Sequence, residues 1–371
     1  MNIFISCGET SGDRYGASLV RALRSIDQSV KVTANGGDAL KDSGAEICNY
    51  TVSKSTIGFI EPIRHLRFFM NAMKLTKAAI LNQKIDIVII IDHQGFNIPL
   101  AKWCSKQNIK VVSLFAPQFW MWGNRKQGQK FVQYCSLIAT VFNKEYDFYK
   151  QIAADKTTFI GHPLLPDLPN RSPSNRSVLA LFPGSRKQEI SLLLPLMCEV
   201  AKAVKKANPD LEIKCARSAK DFSSDINAII SASGVSVTIV DDSRSLIAEA
   251  TCSIVSSGTV TLEHALIGTP CVVIYKLKPL SYAIAHLLVM KKIREQCHGF
   301  IALPNILAKE RIMPEFLQAQ ATIDAIEYEV NTILSDENYT DQMIQKFNQL
   351  REQLAIESHP FTDLAKQIRT L

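Results

Sequence analysis

Ile85-Asp86-Ile87-Val88-Ile89-Ile90-Ile91-Asp92-His93-Gln94-Gly95-Phe96-Asn97 is the stretch whose reading decides the fold. Its run of isoleucine and valine is too short to span a membrane and stiffened at χ1 by β-branching, so it predicts a strand buried on both faces. The run stops at Asp-His-Gln-Gly, and an amphipathic helical pattern follows over residues 98–106. A doubly buried strand followed by a helix is the repeating half of a parallel sheet covered by helices.

The same alternation extends in both directions. Strands are predicted at 2–6, 30–34, 111–115, 137–141 and 157–159, with a helical pattern at 16–24. After a stretch rich in Pro, Ser and Asn at 163–177, a second series follows at 177–181, 212–216, 236–240, 250–256 and 270–275. This predicts an α/β chain of two Rossmann-like domains, 1–165 and 176–335, with 336–371 read as helices without an intervening strand. A length of 371 residues agrees, because one ordinary core rarely serves so long a chain.

Composition narrows the class. Hydrophobic residues make up 47% and charged residues 21%, a globular balance. The formal charge of +7 is spread along the chain, which suits nucleotides, phosphosugars or an anionic membrane surface. No basic run interleaved with aromatics speaks for nucleic acid. The nine cysteines show no CxxC spacing, so they read as buried thiols in a reducing compartment rather than as a zinc site. Without a signal-like start or an apolar run of roughly 18 residues, the expectation is a cytoplasmic protein.

Ligands of open parallel sheets bind beyond the carboxyl ends of the strands, so the loops there hold the candidates. The first is Gly8-Glu9-Thr10-Ser11-Gly12-Asp13, small and polar ahead of a helix. Its small residues let the backbone approach a ligand and the helix start offers N–H groups to an anion, which puts Ser11, Gly12 and Asp13 on the acceptor side; or Ser11 or Asp13 caps that helix. In the Asp92 loop, a carboxylate ending an apolar strand is costly unless solvated or bonded. Asp92 either serves as general base for transfer to a hydroxyl or caps the helix from Ile98; His93 competes for the base role, and Asn97 is either near the acceptor or the N-cap of that helix. The Phe119-Trp120-Met121-Trp122 cluster faces a sugar or an acyl chain, or simply packs.

In the second half, Gly184, Ser185 and Arg186 lead into a helix and make a pyrophosphate grip. Ser257, Gly258 and Thr259 repeat the arrangement, and Glu263, one turn further on, suits a ribose diol. The first loop, Gly8–Asp13, is not G-x-G-x-x-G, so a nicotinamide cofactor is poorly supported.

Taken together, these motifs resemble the lipid-A-disaccharide synthase family. They are the Gly8–Asp13 loop, Ile91-Asp92 with Phe96-Asn97, Ala116-Pro117 with Trp120 and Trp122, and Ile160-Gly161-His162-Pro163. Pro183-Gly184-Ser185-Arg186, Ser257-Gly258-Thr259 with Glu263, and Leu303-Pro304-Asn305 complete the set, in the family's order. The resemblance implies a GT-B fold, two domains facing across a cleft, with the C-terminal helices returning to the N-terminal domain or swapping in a homodimer. It implies an inverting transfer without metal or cofactor, from UDP-2,3-diacylglucosamine to 2,3-diacylglucosamine 1-phosphate. It assigns the catalytic aspartate to Asp92 and the first-loop glutamate to Glu9, and it adds Arg186, Glu263 and Asn305 as positions that matter for activity or UDP binding. Related sequences read Asp-x-x-Asp-Phe-Asn; Gly95 stands here in place of the second acid.

Lipid substrates require access to a membrane. At about 100° per residue, Phe59, Ile63, Leu66, Met70 and Met73 share one helix face, with Arg64, Arg67, Asn71 and Lys74 opposite or flanking. Phe68 falls on the polar side, and Phe69 adds to the aromatic excess. Either this helix lies in the interfacial plane of an anionic inner membrane, or it packs on its own sheet. Residues 276–294 offer a second such surface. The rival readings are a UDP-N-acetylglucosamine 2-epimerase, a murein-type transferase, or a non-catalytic nucleotide-sugar or membrane-binding module.

Overall fold

The computed structural model describes residues 1–52, 66–174, 177–217, 222–278, 282 and 293–371. Phe59, Ile63 and most of the 276–294 surface lie outside these residues, as does the Leu66 side chain. The chain divides into two compact units, Met1–Pro163 with Leu354–Leu371, and Leu164–Gln353.

The first unit is built on β1 (Asn2–Ser6), β2 (Lys31–Gly36), β3 (Glu46–Tyr50), β4 (Ile87–Ile91), β5 (Lys110–Leu114), β6 (Leu137–Thr140) and β7 (Thr157–Phe159). They form one parallel sheet in the order β3-β2-β1-β4-β5-β6-β7. Every residue of β4 is buried, as its unbroken apolar run requires. Between these strands lie α1 (Thr10–Ile26), α2 (Asp38–Asp42), α3 (Leu66–Asn82), α4 (Gln94–Lys106), α5 (Phe119–Trp122), α6 (Arg125–Val132) and α7 (Asn143–Lys150). The core joins Phe4, Val88, Ile90, Leu100, Val111, Ile138 and Tyr149.

The second unit carries β8 (Val178–Phe182), β9 (Glu212–Ala216), β10 (Thr238–Val240), β11 (Cys252–Ser256), β12 (Cys271–Tyr275) and β13 (Glu315–Leu317). Its sheet is also parallel, in the order β10-β9-β8-β11-β12-β13. Its helices are α8 (Lys187–Ala207), α9 (Ser223–Ser233), α10 (Ser243–Glu249), α11 (Thr259–Ile267), α12 (Leu303–Ala308), α13 (Ile323–Ser335) and α14 (Glu337–Leu354).

Residues 336–371 do not travel as one block. The apolar face of α14, with Met343, Phe347 and Leu350 buried, belongs to the second unit. The final helix, α15 (Pro360–Thr370), packs on α1 in the first, burying Phe361, Leu364, Ala365 and Ile368. Two hydrogen bonds hold this return, from His162 N–H to the Leu354 carbonyl at 2.8 Å and from Gln367 Nε2 to Thr158 Oγ1 at 3.3 Å. Strands β3 and β13 were not expected. Both are edge strands, short or half-exposed, and lack the long β-branched run that marks a central strand.

Candidate active site

In each sheet the strand order reverses once, and there the loops diverge to leave a crevice at the carboxyl ends. In the first sheet the reversal falls between β1 and β4, in the second between β8 and β11. The segments after these four strands, each a loop with or without the first helical turn, are Gly8–Asp13, Asp92–Asn97, Gly184–Arg186 and Ser257–Thr259. The topology thus places all four sequence candidates at switch points of their own units.

The loop after β4 is strained. Asp92 and His93 both take left-handed backbone angles, φ 46° and 49°, and Phe115 beyond β5 does the same at 54°. Each costs on the order of 1–3 kcal/mol for a non-glycine residue and is held only where the surroundings enforce it. Asn97 does much of that enforcing. Its Nδ2 donates to the carbonyls of Ser6, Ile91 and Asp92 at 3.0, 3.2 and 2.8 Å, and its Oδ1 accepts the Ser6 hydroxyl at 2.7 Å. Asn97 is 1% exposed, so it ties β1 to β4 and positions Asp92 rather than meeting an acceptor.

Asp92 is exposed as a residue, yet the protein around its carboxyl disfavours the anion and raises its pKa above the ordinary carboxylate value. The His93 N–H donates to the carboxylate and opposes the rise. The His93 ring stacks on Phe96 at 5.8 Å between centroids and leans on Phe69 at 5.4 Å. Burial lowers its pKa, so the imidazole is neutral near pH 7, and its Nδ1 has no hydrogen-bond partner.

The first loop divides its labour. Glu9 is half-buried at the N-cap of α1, without a side-chain cap bond, and Ser11 is half-buried. Gly12 packs against Cys7 and Ile91. Asp13 is 4% exposed and accepts the N–H groups of Gly37, Ala39 and Leu40 at 2.7, 2.9 and 3.3 Å. Those three bonds start α2 and correct the expectation that Asp13 meets the acceptor.

Glu145 was missed. It is 2% exposed on the first turn of α7 and accepts the N–H groups of Val141 and Phe142 at 2.8 and 3.4 Å. Burial pushes its pKa up to about 8; backbone N–H groups, Ala116's among them, pull it down, and the negative charge of Asp92 adds to the rise. The one legible signal was a glutamate at the third helical position after a strand end. The aromatic loop is mostly packing: Trp122 Nε1 donates to Gln118 Oε1 at 3.2 Å, and Trp120 lies against Phe142.

In the second sheet the two phosphate-type loops differ. After β8, the Ser185 N–H donates to Glu189 Oε2 at 3.0 Å, and Arg186 Nη1 pairs with Glu189 Oε1 at 2.7 Å. Gly184, at φ 108°, lies so close to Glu189 that a β-carbon there would overlap the carboxylate. A carboxylate of the chain itself therefore occupies this loop. After β11, Gly258 and Thr259 are exposed, Gly258 provides no side-chain cap, and the start of α11 is open. The Ser257 hydroxyl donates to the Ile301 carbonyl at 3.3 Å and fixes the loop from behind. Glu263, half-buried one turn into α11, accepts Arg244 Nε at 3.1 Å.

Asn305 is fully buried and saturated. Its Nδ2 donates to the Met313 carbonyl and Glu315 Oε1 at 2.9 and 2.6 Å, and its Oδ1 accepts Ile312 and Met313 N–H at 2.8 and 3.0 Å. The expectation of a substrate contact at Asn305 is corrected: its polar groups hold residues 312–315, and the Glu315 carboxylate in turn accepts the Ile301 and Ala302 N–H groups at 2.9 and 3.0 Å. Among the described residues no three His, Cys, Asp or Glu side chains come together as a metal-binding group.

Along α3 the buried stripe is Ala72, Thr76 and Ile80, with Phe68, Phe69 and Met73 packed beside it on the core. This corrects the reading of Phe68 and Phe69 as membrane-facing, because both pack on the core; Met70 is 64% exposed, which leaves it on the outer face, apart from Met73. The helix is rotated from the orientation that its apolar spacing suggested, because the broad aromatic rings win the interior. Among the described residues no helix is long and apolar enough to cross a membrane.

Known structures share this architecture. UDP-N-acetylglucosamine 2-epimerase from Neisseria meningitidis, solved with UDP-GlcNAc, aligns at TM-score 0.61 and 11% identity, covering 100% of this chain and 99% of the other. MurG from Acinetobacter baumannii aligns at 0.57 and 13%, with coverages of 100% and 99%. Such identities speak for the fold alone, and that fold is the GT-B class of two Rossmann-like sheets. Sequence goes further: the profile of the Lipid-A-disaccharide synthetase family matches residues 3–366. Lipid-A-disaccharide synthases from Trichlorobacter lovleyi and Coxiella burnetii are each 32% identical, over 95% of this chain and 93–94% of theirs. The chain belongs to the lipid-A-disaccharide synthetase family and is a glycosyltransferase of the hexosyltransferase type.

Proposed function

We propose that this enzyme transfers 2,3-diacylglucosamine from UDP to the 6-hydroxyl of 2,3-diacylglucosamine 1-phosphate, giving the β-1,6-linked disaccharide 1-phosphate and UDP. The family match along nearly the whole chain carries this reading. The acceptor hydroxyl attacks the donor's anomeric carbon as its proton passes to Asp92. The bond to UDP breaks with its electron pair leaving on the diphosphate, and attack from the opposite face inverts the anomeric centre. A carboxylate with a raised pKa suits that proton transfer, since catalytic efficiency rises as the base approaches the working pH. Glu9 and His93, flanking the same switch point, orient the acceptor. The open N-terminus of α11 and the Arg186 guanidinium suit the diphosphate, and Glu263 suits the ribose.

The acyl chains call for a membrane surface, and we place the enzyme peripherally on the inner face of the inner membrane. Exposed Met70 and Leu81 share the outer side of α3 with Arg67 and Lys74, which fits an anionic interface. Exchange of α15 between two chains would make a homodimer, which sedimentation distinguishes from a monomer.

The test combines purified enzyme with both acylated substrates. Disaccharide formation is expected, with Asp92→Asn losing turnover by at least about 100-fold while retaining UDP binding. Consumption of UDP-N-acetylglucosamine without disaccharide would overturn the proposal.

A further inference from the structure

Glu263 is not an isolated carboxylate. Arg244, on α10, is aimed at it from a helix whose own start is tightly fixed: the Asp242 carboxylate accepts the N–H groups of Arg244 and Ser245 at 3.1 and 3.2 Å and the Ser245 hydroxyl at 2.7 Å. From that base the guanidinium reaches across to α11, where Nε donates to Glu263 Oε1 at 3.1 Å, and Nη1 touches the Asp167 carbonyl at 3.5 Å. Both side chains are mostly shielded, 27% and 16% exposed, so the pair is less screened than a surface salt bridge. Among the described residues nothing donates to Glu263 Oε2, and Arg244 Nη2 has no acceptor. A carboxylate held through one oxygen keeps Oε2 and a lone pair of Oε1 for two further donors, the number that a vicinal diol supplies.

We propose that Arg244 is a positioning residue for donor recognition, holding the Glu263 carboxylate in the one orientation that accepts both ribose hydroxyls of the nucleotide. This rests on the reading of Glu263 as the ribose contact. The geometry distinguishes Arg244 from a generic cation: a lysine reaches Glu263 but lacks the planar fork that bonds Glu263 and Asp167 at once. Arg244 acts on the sugar of the nucleotide, through Glu263, and not on the diphosphate.

The experiment measures binding of UDP and 2′-deoxy-UDP to the full-length wild type, Arg244→Ala, Arg244→Lys and Glu263→Gln by titration calorimetry, with donor KM and kcat alongside. Wild type is expected to prefer UDP over the deoxy analogue by about tenfold or more, a preference lost in Arg244→Ala and partly restored in Arg244→Lys. Donor KM rises in Arg244→Ala while kcat stays within about twofold, as for a uniform binding contact. Equal weakening of both ligands in Arg244→Ala overturns the proposal, as does retention of the preference. If wild type and Glu263→Gln show the same preference, the ribose reading of Glu263 fails first. If Glu263→Gln loses it and Arg244→Ala keeps it, Arg244 alone is wrongly assigned.

Discussion

Gly8 and His93 touch across the switch point of the first sheet: a β-carbon on Gly8 would overlap the imidazole ring. The contact locks the His93 ring, already stacked on Phe96 and set on a left-handed backbone. Gly8→Ala should therefore cost at least about tenfold in turnover and roughly 1–3 kcal/mol in stability, with UDP affinity unchanged. In the double variant Gly8→Ala, His93→Ala the stability loss should shrink, since the clashing ring is gone. Denaturant melts and steady-state rates of the two variants read this directly.

Asp92 must be ionised to accept a proton, and burial has moved its pKa upward. The acid limb of kcat/KM is expected above the ordinary carboxylate pKa of about 4, with activity rising as pH increases through it. Gly95 has open space around its missing side chain. Gly95→Asp should fold, and its negative charge should push that limb further up. A limb that stays fixed in Gly95→Asp would separate the two positions electrostatically.

Glu145 tests the same region through stability. Its folded pKa, about 8, exceeds the unfolded value near 4.3, so the folded state binds the extra proton between those limits. Stability contributed by this group is then full below about pH 4 and falls as pH rises toward 8. Glu145→Gln mimics the neutral acid and should remove that slope. The variant should gain on wild type by on the order of 1–3 kcal/mol between pH 5 and pH 8.5, measured by urea unfolding at both.

His264 gives the opposite sign. Fully buried, with Nδ1 donating to the Val260 carbonyl at 2.8 Å, it has its pKa pushed down to about 4. The folded state resists protonation, so stability is lost as pH falls from about 6.5 toward 4. His264→Asn should flatten acid unfolding over that window, whatever it costs at pH 7.

Asn305→Ala leaves Glu315 and two buried N–H groups short of partners, which should destabilise the second unit by about 2–4 kcal/mol. UDP binding to the protein that remains folded should change by less than about threefold. A larger loss would return Asn305 to the ligand.

The sequence alone determined the two parallel sheets, because doubly buried strands write themselves as Ile/Val runs and their loops as Gly, Ser and Asp. It also placed Asp92, Glu9 and the Ser257–Thr259 segment just beyond the carboxyl ends of strands, since a polar residue ending an apolar strand is conspicuous wherever it sits. Which polar residues remain available for chemistry was decided only in three dimensions. Asp13, Asn97 and Asn305 looked like site residues, yet their hydrogen-bonding groups are taken up inside the fold, by the start of α2, by the ends of β1 and β4, and by residues 312–315. Arg244 and Glu145 looked ordinary and become significant through what packs beside them. The rotation of α3 followed the same rule: Phe68 and Phe69 turn inward because ring area outweighs a tidy helical stripe. Local pattern sets where strands and loops fall; hydrogen-bond saturation and side-chain volume, which are tertiary quantities, decide what each loop residue is left to do.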